Sequence, residues 1–68
     1  MTMFKIICES RYATETICRE IIDIAKAMTI YPDACEIVVT SALTPNDAIR
    51  FLDNRHINDR IYQIEAMP

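Results

Sequence analysis

His56 is the one histidine of the chain, and Cys8, Cys18 and Cys35 are its only thiols. These side chains carry the intrinsic nucleophilic, acid–base and metal-binding chemistry of the sequence. A Cys–His pair becomes a nucleophile only when the imidazole stands within hydrogen-bond reach of the sulfur. Here the three cysteines lie in or beside apolar stretches, which assigns them to a core as small hydrophobes. His56 follows a helical segment, where a solvated positive charge is favoured by the helix dipole. A small cysteine-dependent enzyme is therefore only the third reading. Three cysteines and a histidine also make four zinc donors, but the close ligand pairs of structural zinc sites are missing. No metal and no other cofactor is expected.

Carboxylates occur near one another as Glu15/Glu20, Asp33/Glu36, Asp47/Asp53 and Asp59 near Glu65. Acid–base work needs two carboxyls whose environments separate their pKa values inside a cleft. A domain of this size has little cleft, so these residues read as solvated charge. Glycine is absent altogether. That removes Gly-rich phosphate loops, dinucleotide fingerprints and nucleophile elbows, each of which needs glycine for a close backbone approach or a positive φ. The expectation is a protein that is not an enzyme.

The segment Arg50–Tyr62 points to binding instead. It holds Arg50, Arg55, His56 and Arg60, interleaved with Phe51 and Tyr62. Arginine and aromatic residues are enriched at protein interfaces and in stacking on nucleic acid. Asp53 and Asp59 dilute its charge, which favours a mixed-charge protein surface over a phosphate track. The candidate protein-binding residues are Arg50, Arg55, His56, Asp59, Arg60 and Tyr62. Tyr31, in a turn with Asp33, is added as a second candidate. Arg11 and Tyr12 are expected at the opposite end from that turn.

Composition sets the frame around these residues. Sixty-eight residues make a single domain, 1–68. A chain this short buries only roughly 60% of its unfolded surface. The apolar fraction is 51%, which means an efficient core or apolar surface reserved for a partner. Lys and Arg number 7 against 10 Asp and Glu, for a net charge of −3. That lacks the basic excess of a nucleic-acid binder. No apolar run is long enough to cross a membrane, and Met1–Lys5 leads straight into a strand rather than a leader. With an odd number of widely spaced cysteines, the expected compartment is the reducing cytoplasm.

The elements that must position these groups are read from periodicity. Phe4–Glu9 alternates, with Phe4, Ile6 and Cys8 on one face. Ile17–Met28 reads as one amphipathic helix, with Ile17, Ile21, Ile24, Ala25 and Met28 on a single face at 3.6 residues per turn. Thr14 is the preferred N-cap, Ser10 the earlier alternative, and Glu15 with Arg19 an i,i+4 ion pair. Tyr31–Ala34 is a turn, and Cys35–Thr40 a second strand with Cys35, Ile37 and Val39 on one face. Thr44-Pro45-Asn46-Asp47 starts a helix over Pro45 to about Asn54, burying Ala48, Ile49 and Leu52. Asn54 is assigned the left-handed terminating role. Arg60–Ala66 is the third strand.

The order predicts an α/β fold, a small two-layer βαβαβ domain. Its three-stranded sheet has both helices on one face, and a parallel first crossover. The rival arrangement has the third strand antiparallel. The other sheet face carries Ile7, Val38 and Ile61, and that face or a sheet edge suits a second copy in a homodimer. The functional expectation is a non-enzymatic protein-binding module. It would act as an inhibitor or adaptor of a larger protein, in the manner of phage-type accessory proteins. Nucleic-acid binding through Arg50, Arg55, Arg60 and Tyr62 is the alternative.

Overall fold

The computed structural model describes all residues, Met1–Pro68. The chain is built as strand β1 (Thr2–Cys8), helix α1 (Arg11–Ile21), strand β2 (Ala25–Tyr31), a 3-10 turn (Pro32–Ala34), strand β3 (Glu36–Ser41), helix α2 (Pro45–Asn54) and strand β4 (Tyr62–Ala66). The α/β class holds, but the sheet has four strands, in the order β2-β3-β1-β4. Every neighbouring pair is antiparallel. This βαββαβ order is the split βαβ of ferredoxin-like domains.

The principal correction falls on Ile17–Met28. Only its first part is helical; the second part is strand β2. Helix α1 starts at Ser10, not Thr14. The Ala13 N–H donates to Ser10 Oγ at 3.0 Å, while the buried Thr14 hydroxyl donates to the Ser10 carbonyl at 2.8 Å. The helix stops at Ile21 without a left-handed residue. Ile22 stays right-handed, and tight bonds from Asp23 N–H to Glu20 O and from Ile24 N–H to Ile21 O close the turn. Ala27, Thr29 and Tyr31 then share one face of β2, and Met28 and Ile30 the other, by their pairing with β3. Lys26 is the extra residue of a bulge.

Two consequences follow for topology. The expected second strand is β3, and it runs antiparallel to β1 because β2 intervenes in the chain. β1 and β2 are the parallel pair of the crossover, with β3 inserted between them. The final strand is antiparallel to β1, as in the rival arrangement. It begins at Tyr62 rather than Arg60.

One face of the sheet and both helices form a single core. Phe4, Ile6 and Cys8 of β1, Ile37 and Val39 of β3, and Tyr62 of β4 pack with Ala13, Ile17 and Ile21 of α1 and Ala48 and Leu52 of α2. Both helices therefore cover the same face. Ile49 and Phe51 are partly buried beside this core, as are Ile24, Ala25 and Met28. The opposite face carries Met3, Lys5 and Ile7, flanked by Thr40, Val38 and Glu36. No helix is long and apolar enough to cross a membrane.

Candidate protein-interaction surface

The segment Arg50–Tyr62 is not one surface in three dimensions. α2 begins as its sequence demands: the Asp47 N–H donates to Thr44 Oγ1 at 3.2 Å and Pro45 fills the first turn. It ends in a Schellman arrangement. The Ile57 N–H donates to Leu52 O at 3.0 Å and the His56 N–H to Asp53 O at 2.9 Å. The left-handed residue is His56, with φ 64°, and not Asn54. His56 thus stands where glycine normally does, on the surface, and its ring makes no hydrogen bond to any cysteine.

Arg55 is engaged within the chain. Its guanidinium donates to Asp23 Oδ2 at 3.1 Å and to Glu20 Oε1 at 3.5 Å, and sits 4.6 Å from the Phe51 ring centre. It ties the end of α2 to the end of α1, where a cation also meets the α1 dipole. Arg50 faces its own Asp47 at 3.9 Å, an exposed pair of little energy. Arg60 and Asp59 are exposed on the loop before β4. Tyr62 is a core residue, 8% exposed. Its hydroxyl is buried without a hydrogen-bond partner. Burial, with Asp59 and Asp53 nearby, raises its pKa above the ordinary tyrosine value. So Arg50, His56, Asp59 and Arg60 are solvent-facing, Arg55 is exposed but held by two carboxylates, and Tyr62 is in the core.

Tyr31 lies elsewhere, on β2 at the far edge of the sheet from β4. Arg11 joins it at that end: its guanidinium pairs with Asp33 at 3.2 Å. The start of α1 and the turn after β2 are therefore one corner of the molecule, not opposite ends.

This corner opens onto a surface that sequence reasoning missed. Between α1 and β2 lies a groove of about 250 Å³ lined by Arg11, Thr14, Glu15, Cys18, Ile30 and Pro32. A second hollow of about 400 Å³ adjoins it, sharing Glu15 and Cys18 and adding Arg19 and Ile22. Ile22 is 57% exposed, Tyr31 51% and Ile30 43%. The helical reading of Ile17–Met28 hid this site. The alternation of Met28 and Ile30 against Ala27, Thr29 and Tyr31 was the signal available.

The thiols gather near this end. The Cys8 N–H donates to Cys35 O at 2.8 Å, and Cys18 Sγ lies 4.0 Å from Met28 Sδ. Burial pushes the Cys8 thiol above its ordinary pKa, against a smaller lowering by a hydrogen bond with Thr14. Burial pushes Cys18 up as well. Both are thus held as thiols at neutral pH. Cys35 is the left-handed residue after the 3-10 turn, at φ 54°, and not a member of an alternating strand face. All three cysteines are free. No group of three or more histidine, cysteine, aspartate or glutamate side chains is placed to hold a metal ion.

Comparison of the chain with protein families, with curated proteins and with solved structures gives no significant match. The reading of the site rests on its geometry.

Proposed function

We propose that the chain is a protein-binding module that works without catalysis, as an adaptor or inhibitor in a reducing compartment such as the cytoplasm. The observation that carries this reading is the collection of exposed Ile22, Ile30 and Tyr31 along the unpaired edge strand and its groove. An edge strand presents unpaired N–H and C=O groups, and natural proteins normally guard it with charge, proline or short length. β2 has seven residues; its one charge, Lys26, and the bulge there guard only its first end, and Ala27–Tyr31 is left open. A backbone template beside an apolar groove is the geometry of strand addition: main-chain hydrogen bonds supply affinity and the groove supplies side-chain selectivity.

The nucleic-acid alternative has less support. It relied on Arg50, Arg55, Arg60 and Tyr62, and of these Arg55 is engaged by two carboxylates and Tyr62 is in the core. A steep fall of binding with salt would restore it.

The test is capture from a lysate of the native host, with nuclease, comparing the natural chain with Ile30→Asp. Folding of the variant is checked by circular dichroism. A stoichiometric protein held by the natural chain and lost by Ile30→Asp is the expected outcome. Equal capture by both would move the contact away from β2, and capture abolished by nuclease would replace the reading.

A further inference from the structure

We infer that the occupant of the β2 edge is a second copy of this chain, paired about a two-fold axis through Thr29. This rests on the protein-binding reading above and names the partner.

The regular part of β2 fixes the register. Beyond the bulge at Lys26, the strand pairs evenly with β3 from Ala27 to Tyr31, and Thr29 is its centre. An antiparallel pair about Thr29 sets Met28 beside the second copy's Ile30 on the helix-covered face. It sets Tyr31 over the second copy's Ala27 on the open face, a large side chain against a small one. Thr29 meets its own equivalent, a favourable cross-strand pair. The patch is thus complementary to itself, which an isologous two-fold contact requires.

The charges on α1 supply the second argument. The ion pairs of the chain are Arg11–Asp33, Arg50–Asp47 and Arg55 with Glu20 and Asp23. Glu15 and Arg19 take part in none of them, although their i,i+4 spacing allows it. Both line the hollow beside Cys18 and Ile22. α1 runs antiparallel to β2, with Arg11 near Asp33 at one end and Cys18 against Met28 near the middle. A two-fold through Thr29 passes level with α1 about half a turn before Cys18, close to the midpoint of Glu15 and Arg19, so Glu15 of each copy faces Arg19 of the other. Lys26, outside the paired stretch, comes level with the second copy's Asp33.

The spacing is compatible with this. α1 rests on β1 and β3, so two α1 helices stand apart by roughly four strand spacings, about 19 Å. Glu and Arg side chains meet across such a channel at its rim only when both are fully extended. Its floor is Met28 and Ile30, and its walls are Cys18 and Ile22. The product is a continuous eight-stranded sheet in which β2 is no longer an edge.

Sedimentation equilibrium on the full chain tests the proposal, read as mass relative to the 7.9 kDa monomer. Twice that mass is expected, with reversible dissociation on dilution. Glu15→Arg should weaken the dimer roughly tenfold, because two symmetry-related contacts become like-charged. Arg19→Glu should do the same, and the two together should restore the natural affinity. As a check of register, Thr29→Cys in a Cys18→Ser background should crosslink to a covalent dimer on mild oxidation. A monomer on the order of 100 µM overturns the proposal, since such an edge contact is a micromolar one. A dimer indifferent to the charge exchange and to the Thr29 crosslink also overturns it, placing the two-fold elsewhere. A monomer that still captures a larger protein through Ile30 overturns the second copy alone and leaves the binding module standing.

Discussion

The Tyr62 hydroxyl is the one buried polar side-chain atom without a partner. An unsatisfied buried group gives up its hydration for nothing in return. Tyr62→Phe is therefore expected to stabilise the chain by about 1 kcal/mol, read from urea denaturation. Destabilisation would mean that the hydroxyl makes a bond in solution. His56 presents the complementary case. A non-glycine residue in the left-handed region costs ~1–2 kcal/mol, and glycine recovers part of that after its own entropic loss. His56→Gly should thus raise stability by roughly 0.5–1 kcal/mol and leave binding unchanged. A histidine that met a partner would instead lose affinity on this change. The absence of glycine from the sequence forces Cys35 and His56 into positions that glycine fills in most proteins. Nothing local distinguished His56 from Asn54 for that role, because the choice depends on where the Leu52 and Asp53 carbonyls find donors.

At the scale of elements, the joint between β2 and β3 is held by Ser41. Its buried hydroxyl donates to the Ile24 carbonyl at 2.7 Å and accepts from the Leu43 N–H at 3.0 Å. Thr2 adds a second clasp, its single Oγ1 proton shared between the Ser41 and Leu43 carbonyls. Ser41→Ala leaves a donor and an acceptor unpaired at the start of β2. The expected cost is about 1–3 kcal/mol in global stability. Hydrogen exchange should show the largest loss of protection in β2, the outermost strand on that side. A uniform loss would show that β2 does not open separately. Arg55 acts at this scale too, since it clamps the end of α2 onto the turn that starts β2. Reversing its charge would disturb that clamp, so any loss of binding by Arg55→Glu is read only beside a measurement of its folding.

For the whole molecule, pH dependence follows from burial. Cys8, Cys18 and Tyr62 all have folded pKa values raised above their ordinary ones. Each favours the folded chain fully below its unfolded pKa. Each loses that contribution as pH climbs from the unfolded value through the folded one, because the unfolded state sheds its proton first. The thermal midpoint should therefore fall once pH rises past the ordinary thiol value of 9.0 and further past the tyrosine value of 10.0. Cys8→Ala should flatten the first part of that decline. An unchanged slope would mean that Cys8 ionises as easily in the folded chain as in the unfolded one. The core also shows how the molecule divides its apolar residues. Phe4, Ile6, Ile17, Ile21, Ile37, Val39 and Leu52 are fully buried, while Met1, Met3, Tyr12, Ile22, Ile30 and Tyr31 remain outside. Ile30 and Tyr31, with Ile22 just before the strand, make β2 the surface to probe.

Local rules were enough for much of this protein. The alternation of Phe4, Ile6 and Cys8, the inward Ile37 and Val39, the Thr44–Pro45 helix start and the buried Ala48 and Leu52 were all legible in the sequence, and so was the α/β class. These features depend on neighbours within a few residues. β2 was not legible. From Ile21 to Met28 the apolar positions satisfy a helix, and no glycine or proline marks the break at Ile22–Ile24. What decides the matter is distant: β3 has backbone groups and a flank of Ile37 and Val39 that only another strand can cover. Once β2 takes that place, the sheet gains its fourth strand and β3 turns antiparallel to β1. Tyr31 then moves to the edge opposite Tyr62, and Arg11 reaches Asp33. The residues of the core are set by local pattern. The location of the exposed edge, and with it the candidate site, is set by hydrogen-bond partners supplied from elsewhere in the chain.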